Sequence, residues 1–174
     1  TEEFYYKITG THLENILETL IYLKNETKVW LEITTLLIPG QNDHPEKIDA
    51  ETKWIMQHLG PNVPLHFTAF HPDWKMMDIP PTPPATLSMA REIAMRNGLN
   101  YVYTGNVHDI DGGSTYCHNC KKCVVQRDWY NILSYDLTDD GHCKFCSTQI
   151  PGVFSGPHGT WGAKRVPVRL HQVL

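Results

Sequence analysis

What this sequence lacks narrows it first. No run of apolar residues approaches the roughly 18 needed to span a bilayer, and no charged leader followed by an apolar core opens the chain. These two absences predict a soluble, cytoplasmic protein. An excess of one charge sign is also missing: 15 Lys and Arg stand against 19 Asp and Glu, for a net charge of -4, and charged residues make up only 20% of the chain. A field that weak draws in neither nucleic acid nor an anionic membrane, so neither is an expected partner. There is no internal repeat and no low-complexity tract. Histidines never recur at the i, i+4 spacing of a helical metal site, so His66, His118, His142 and His158 read as surface or core residues. The first residue is Thr1 rather than Met, which leaves room for a segment upstream.

What is present is enough for one sizeable core and a small satellite, since 41% of 174 residues are apolar. Thr11 followed by Glu14 has the form of a capping box, and Leu13, Ile16, Leu17, Leu20 and Ile21 follow as an apolar helical stripe. VWLEITTLLIPG, β-branched and stopped by Pro39 and Gly40, reads as a strand with Val29, Leu31, Ile33 and Leu37 on one side. Asp43 and Pro45 signal a second helix with Ile48, Thr52, Ile55 and Leu59 on one face and Gly60 as its stop. PLHFTAFHP is a second strand, Thr82 and Pro83 open a helix ending near Gly98, and YVYTGN is a third strand. Trp54, Met76 and Met77 read as packing groups.

Helix and strand in alternation predict an α/β unit with a parallel sheet and right-handed crossovers over residues 1–107. Three strands cannot close a barrel, and an open sheet of three leaves a parallel edge unpaired. The unit is therefore expected to be part of something larger. Its VWLEITTLLIPG edge should be covered by a missing N-terminal half or by another chain, and an uncovered edge would count against this.

Composition shifts after Asn106, and residues 108–174 read as a second unit. Four of its cysteines form two C-x2-C pairs, Cys117/Cys120 and Cys143/Cys146, separated by 22 residues. Such pairs each present two thiolates at one corner of a tetrahedron, so a metal is a better expectation than disulfides. A closed four-sulfur shell leaves no open position, so zinc there is structural, and iron in a rubredoxin-like site suits the same ligands. The intervening VVQRDWYNILSYDL alternates as a β-hairpin does, and the Gly- and Pro-rich tail PGVFSGPHGTWGAKRVPVRL reads as irregular surface chain. Cys123 is left over: a fifth thiolate has no place in the shell, although Cys117, Cys120 and Cys123 could also open a ferredoxin-like run that lacks its fourth cysteine and proline. LLIPGQND and His71 stand at strand ends where α/β folds bind ligands, though spacing alone favours an ordinary turn and a loop histidine, with His71 kept as a candidate for its placement.

Taken together, EITTLLIPGQND, PLHFTAFHPDWKMMDIPPTPPATL, YVYTGNV and the C-x2-C pairs resemble the radical S-adenosylmethionine enzymes of the AmmeMemoRadiSam group, relatives of the pyruvate formate-lyase activating enzymes. The resemblance covers essentially the whole chain, as the C-terminal portion of a longer protein. It implies the C-terminal half of a partial (β/α) barrel, followed by a small zinc-ribbon or rubredoxin-like domain. It also implies a [4Fe-4S] cluster that reductively cleaves S-adenosylmethionine to a 5′-deoxyadenosyl radical for hydrogen abstraction, from a partner protein's glycine in activating enzymes. By the same resemblance Thr34 and the backbone around Leu37, Ile38 and Pro39 line the cofactor pocket, His71 lies near the ribose, and the face bearing Glu32 and Thr34 points into the barrel.

The sequence departs from that family at one decisive point. Its cluster is held by C-x3-C-x2-C near the first strand, and residues 1–174 contain no such motif. Cluster and S-adenosylmethionine are therefore expected in the complete protein only, and this chain alone should be inactive. The alternative is a non-enzymatic module whose metal hairpin recognises a protein partner and whose α/β part is scaffold.

Overall fold

The computed structural model describes residues 1–165 and 167. A short helical turn, α1 (Glu2–Phe4), runs into a π-helical turn (Tyr5–Thr9) and then α2 (Leu13–Glu26). The capping box does not form. Thr11 Oγ1 lies 2.7 Å from Thr9 Oγ1, and the first amide of α2, that of Leu13, donates instead to Glu2 Oε2 at 2.8 Å. A carboxylate brought back by the preceding turn thus supplies what a local cap would have supplied. Leu20 and Ile21 of the expected stripe pack on the core, whereas Ile16 is exposed.

The first sheet comprises β1 (Ile33–Leu37), β2 (Leu65–Ala69) and β3 (Val102–Gly105), parallel and in that order. Helices α3 (Pro45–His58) and α4 (Pro84–Arg96) make the two crossovers. β1 is shorter than the run VWLEITTLLIPG, and Val29 is 62% exposed. The reason lies in its neighbour: Ile33 pairs with Leu65 and donates to the Pro64 carbonyl at 2.9 Å, and proline has no amide with which to extend the ladder. β1 is an outer edge with no strand against its free side among the described residues. No described residue supplies the expected cover, the outcome that counts against a covered edge. The opposite edge is partly closed, because Arg91 Nε donates to the Val102 carbonyl at 3.0 Å.

Period-two alternation sends Ile33, Thr35, Leu37, Leu65, Phe67, Ala69 and Val102 toward one side of the sheet. There the core forms with Ile48, Ile55 and Leu59 from α3 and with Leu87, Ala90, Ile93 and Ala94 from α4. Thr52, also fully buried in α3, is satisfied by the Ile48 carbonyl at 2.8 Å and by Asn97 Nδ2 at 2.8 Å. Thr34, Leu36, His66, Thr68 and Tyr103 point the other way, and no helix covers that face.

Two expected helix-start residues have other work. Asp43 Oδ1 accepts from the Gly40 amide at 2.8 Å, inside the turn that ends β1. Thr82 Oγ1 donates to the Leu37 carbonyl at 2.6 Å and accepts from the Phe70 amide at 2.8 Å, tying the ends of β1 and β2 together. The Thr82 amide in turn donates to the Phe70 carbonyl at 3.1 Å. Among the expected packing groups, Trp54 lies against the core and Met76 is half-buried, but Met77 is 68% exposed in the loop after β2.

Helix α5 (Ile110–Gly113) leads to an antiparallel sheet of β4 (Thr115–Tyr116), β5 (Cys123–Asp128) and β6 (Asn131–Tyr135). β5 and β6 are the expected hairpin, turning at Trp129 and Tyr130. A Cβ on Gly112 would lie 2.1 Å from Thr104 Oγ1 and 2.2 Å from Asp109 Oδ2, so only glycine fits there. The second core joins Cys117, Val124, Val125, Leu137, Cys143 and Ile150, and Tyr101, just ahead of β3, packs into it. The described part of the tail is irregular, with Phe154 packed on this core; Val166 and residues 168–174 lie outside the described residues. No described helix is long and apolar enough to cross a membrane.

Candidate functional site

Two turns with the same bonding pattern bring four sulfurs together. In the first, the Cys117 amide donates to the Lys122 carbonyl at 2.9 Å, and the Lys121 amide donates to the Cys117 carbonyl at 2.9 Å. In the second, Cys143 donates to Thr148 at 2.9 Å, and Ser147 donates to Cys143 at 2.8 Å. Lys121 and Ser147 take matching left-handed conformations, with φ of 63° and 59°. The β5–β6 hairpin and the bridge between Leu137 and Cys143 fold the two turns onto each other.

The Sγ atoms of Cys117, Cys120, Cys143 and Cys146 all lie within 4.8 Å of one another. Cys117 and Cys146 are 3.6 Å apart, and Cys120 and Cys143 are 3.8 Å apart. Zinc–sulfur bonds of about 2.3 Å in a tetrahedron place sulfurs about 3.8 Å from each other, so the donor set fits such an ion. The five cysteines are free of disulfides.

Electrostatics point the same way. The Thr148 hydroxyl and amide beside Cys146 hold its thiol well below the ordinary range, at about 5. The Lys122 amide favours the Cys120 thiolate, yet lost solvation and the three neighbouring sulfurs push Cys120 up to about 11. Four thiolates this close repel one another, and a bound cation lets all of them ionise. Asn119 braces the arrangement across the two turns: its Nδ2 donates to Thr148 Oγ1 at 3.0 Å and lies 3.8 Å from Cys146 Sγ. His118, inside the first pair, has Nδ1 2.7 Å from Tyr101 OH and so links the metal turn to the parallel unit.

Cys123 is not one of the four. It opens β5, opposite Tyr116, and burial raises its thiol pKa.

Of the five residues assigned to a cofactor pocket, Leu37, Ile38, Pro39 and His71 stand at the carboxyl ends of β1 and β2, whereas Thr34 lies near the start of β1, opposite His66. Leu37 pairs with Ala69, so Ile38 and Pro39 emerge beside Phe70 and His71. Thr34 and His71 are exposed, whereas the Leu37 side chain is buried in the core and Ile38 is buried beside it. The Ile38 amide donates to Asn42 Oδ1 at 2.7 Å, so the turn there is held by its own side chains.

A second feature lies away from those five residues. A cavity of about 830 Å³ opens between the bare face of the first sheet and the β5–β6 hairpin. Glu32, His66, Tyr103, Thr115 and Arg127 are among its lining residues. Glu32 Oε2 lies 2.9 Å from His66 Nε2, and Glu32 Oε1 accepts from Trp30 Nε1 at 2.7 Å. His66, and then Trp30, hold the Glu32 carboxyl below its usual range. His66 stacks on Tyr103 at 4.9 Å between ring centroids, and Tyr103 OH lies 3.0 Å from Thr115 Oγ1, which also accepts from Arg127 Nη1 at 2.7 Å. The sequence alone treats His66 as a surface or core residue and passes over Arg127. The signal for His66 was its phase: Glu32, Thr34, His66 and Tyr103 share the polar side of their strands. The signal for Arg127 lay in tertiary structure alone.

The chain is 40% identical over 150 residues to an uncharacterized protein of Methanocaldococcus jannaschii, a match covering 85% of this chain and 44% of that relative. It thus spans less than half the length of the relative it matches. No family model matches the chain.

Proposed function

We propose that this chain is the C-terminal half of a radical S-adenosylmethionine enzyme. Its parallel sheet then forms part of a (β/α) barrel, and its four-cysteine unit is a zinc-ribbon or rubredoxin-like appendage holding one zinc or iron ion. The observation that carries this reading is the placement of IPG and FHP side by side at the carboxyl ends of β1 and β2, on a sheet whose opposite face carries no helix. A barrel needs such a face to enclose its interior.

In this reading Thr34 and the backbone of Leu37, Ile38 and Pro39 border the S-adenosylmethionine, and His71 approaches its ribose. The cluster that supplies reductive cleavage to a 5′-deoxyadenosyl radical does not fit this chain, because C-x3-C-x2-C is absent and Cys123 lies outside the four-cysteine group. Its ligands belong to polypeptide outside residues 1–174, and no step is assigned to this chain alone. Hydrogen abstraction of the glycyl-radical-activating type is the reaction class that the resemblance favours.

The test is to purify the complete protein without oxygen, reconstitute its cluster and reduce it. Formation of 5′-deoxyadenosine is the expected result. A loaded cluster protein that yields none sinks the enzyme reading and favours a metal hairpin that serves as a protein-interaction module. Metal analysis of this chain should give about one zinc or one iron per polypeptide.

A further inference from the structure

The cavity between the two units contains a cation without a partner. Arg127 is half-buried, and among the described residues its guanidinium makes no ion pair; Nη1 donates to Thr115 Oγ1 at 2.7 Å and reaches the Gly113 carbonyl at 3.4 Å. Those two acceptors are neutral and fix the direction of the planar fork, leaving its other donors to the cavity. The nearby carboxylate is engaged elsewhere: Glu32 receives Trp30 on one oxygen and faces His66 on the other. Asp109, also in the lining, accepts from Thr104 and from the Gly112 amide. A guanidinium aimed and only half-solvated has a strong preference for an oxyanion. Aromatic rings of Tyr103, Trp129, Tyr135 and Phe154 make up much of the remaining wall, and the volume lies in the range of small-molecule sites.

We propose that this cavity binds a small aromatic molecule bearing a phosphate or carboxylate. The anion sits on Arg127, and the ring lies among the aromatic side chains. The proposal stands on the cavity alone and does not depend on radical chemistry.

Phenyl phosphate, benzoate and uncharged phenol, titrated into the full chain labelled with nitrogen-15, test it through the indole N–H signals. Phenyl phosphate or benzoate should shift Trp30 and Trp129 saturably, leave Trp54 in place, and be displaced by inorganic phosphate or acetate respectively. Whichever of the two is held more tightly identifies the anion. R127Q should weaken that binding at least tenfold and R127K less, because charge survives while the fork is lost. Phenol should bind at least tenfold more weakly than the favoured anion. Equal shifts from all three compounds, no saturable shift from either anion, or R127Q binding as the unmodified chain does would overturn the proposal. If R127Q loses its spectral dispersion, displacement by the simple anion on the unmodified chain decides the matter: displacement supports an oxyanion site, and its absence refutes one.

Discussion

The parallel unit buries Leu65, Phe67, Leu37, Ile48 and Leu87 completely between its sheet and α3 and α4, whereas the core of the antiparallel unit comprises, among the described residues, seven side chains, two of them cysteines of the four-sulfur cluster. One unit is held by apolar area, the other by a thiolate cluster set in too little of it. The contrast teaches where a metal is needed: a few short strands cannot remove enough apolar surface from water to offset the entropy of ordering them. A metal ion held by the four sulfurs would supply the difference, which in small zinc domains amounts to about 10–16 kcal/mol.

The strongest way to break this contrast is to remove the metal. Chelation, or Cys143→Ser, should abolish hydrogen-exchange protection at Val124, Val125 and Ile150 while the Phe67 and Leu65 amides stay protected. Simultaneous loss in both units would mean that they form one cooperative body. Next in size, Phe67→Ala should cost about 3–5 kcal/mol in denaturant unfolding and should leave metal content unchanged. Gly112→Ala, at the junction of the two units, should cost about 1–3 kcal/mol through its clash with Thr104 and Asp109, measured as a lowered unfolding midpoint.

Two smaller tests sharpen the comparison. Cys123→Ser should leave one metal per chain and change stability by less than about 1 kcal/mol, since the side chain lies outside the cluster. Loss of metal would put Cys123 in the shell. Glu32→Gln should have the least effect, well under about 1 kcal/mol, because the carboxylate is solvent-accessible. Its folded pKa lies below the ordinary 4.5, so its contribution is fully present above that value and disappears as pH falls through the lower folded one. The gap between variant and parent should accordingly close in acid; a gap that widens there would contradict the assignment.

What could be read in the sequence follows the same division. Ile48, Thr52, Ile55 and Leu59 announced a helix face by spacing alone, and all four are buried. The cysteine pairs announced their cluster because a C-x2-C turn encodes its own geometry, down to the repeated amide bonds. Where local signals competed with distant partners, the reading failed. Thr11 and Glu14 had the form of a cap, but Glu2 arrived from outside the window. Val29 to Leu31 had strand-like composition, but the neighbour that would have paired with them ends at a proline. Arg127 and His66 drew no attention because their meaning depends on a meeting of β2, β3 and β5 that no spacing records.

The paired hydrogen bonds between Phe70 and Thr82 have a consequence for how this molecule can change over time. The chain from His71 to Pro81 leaves and returns at a clasp that also grips the end of β1. Its middle can lengthen, shorten or exchange residues such as Trp74 and Met77 without disturbing a single rung of the ladder beneath. Selection can rework what that stretch meets while the parallel sheet is inherited intact.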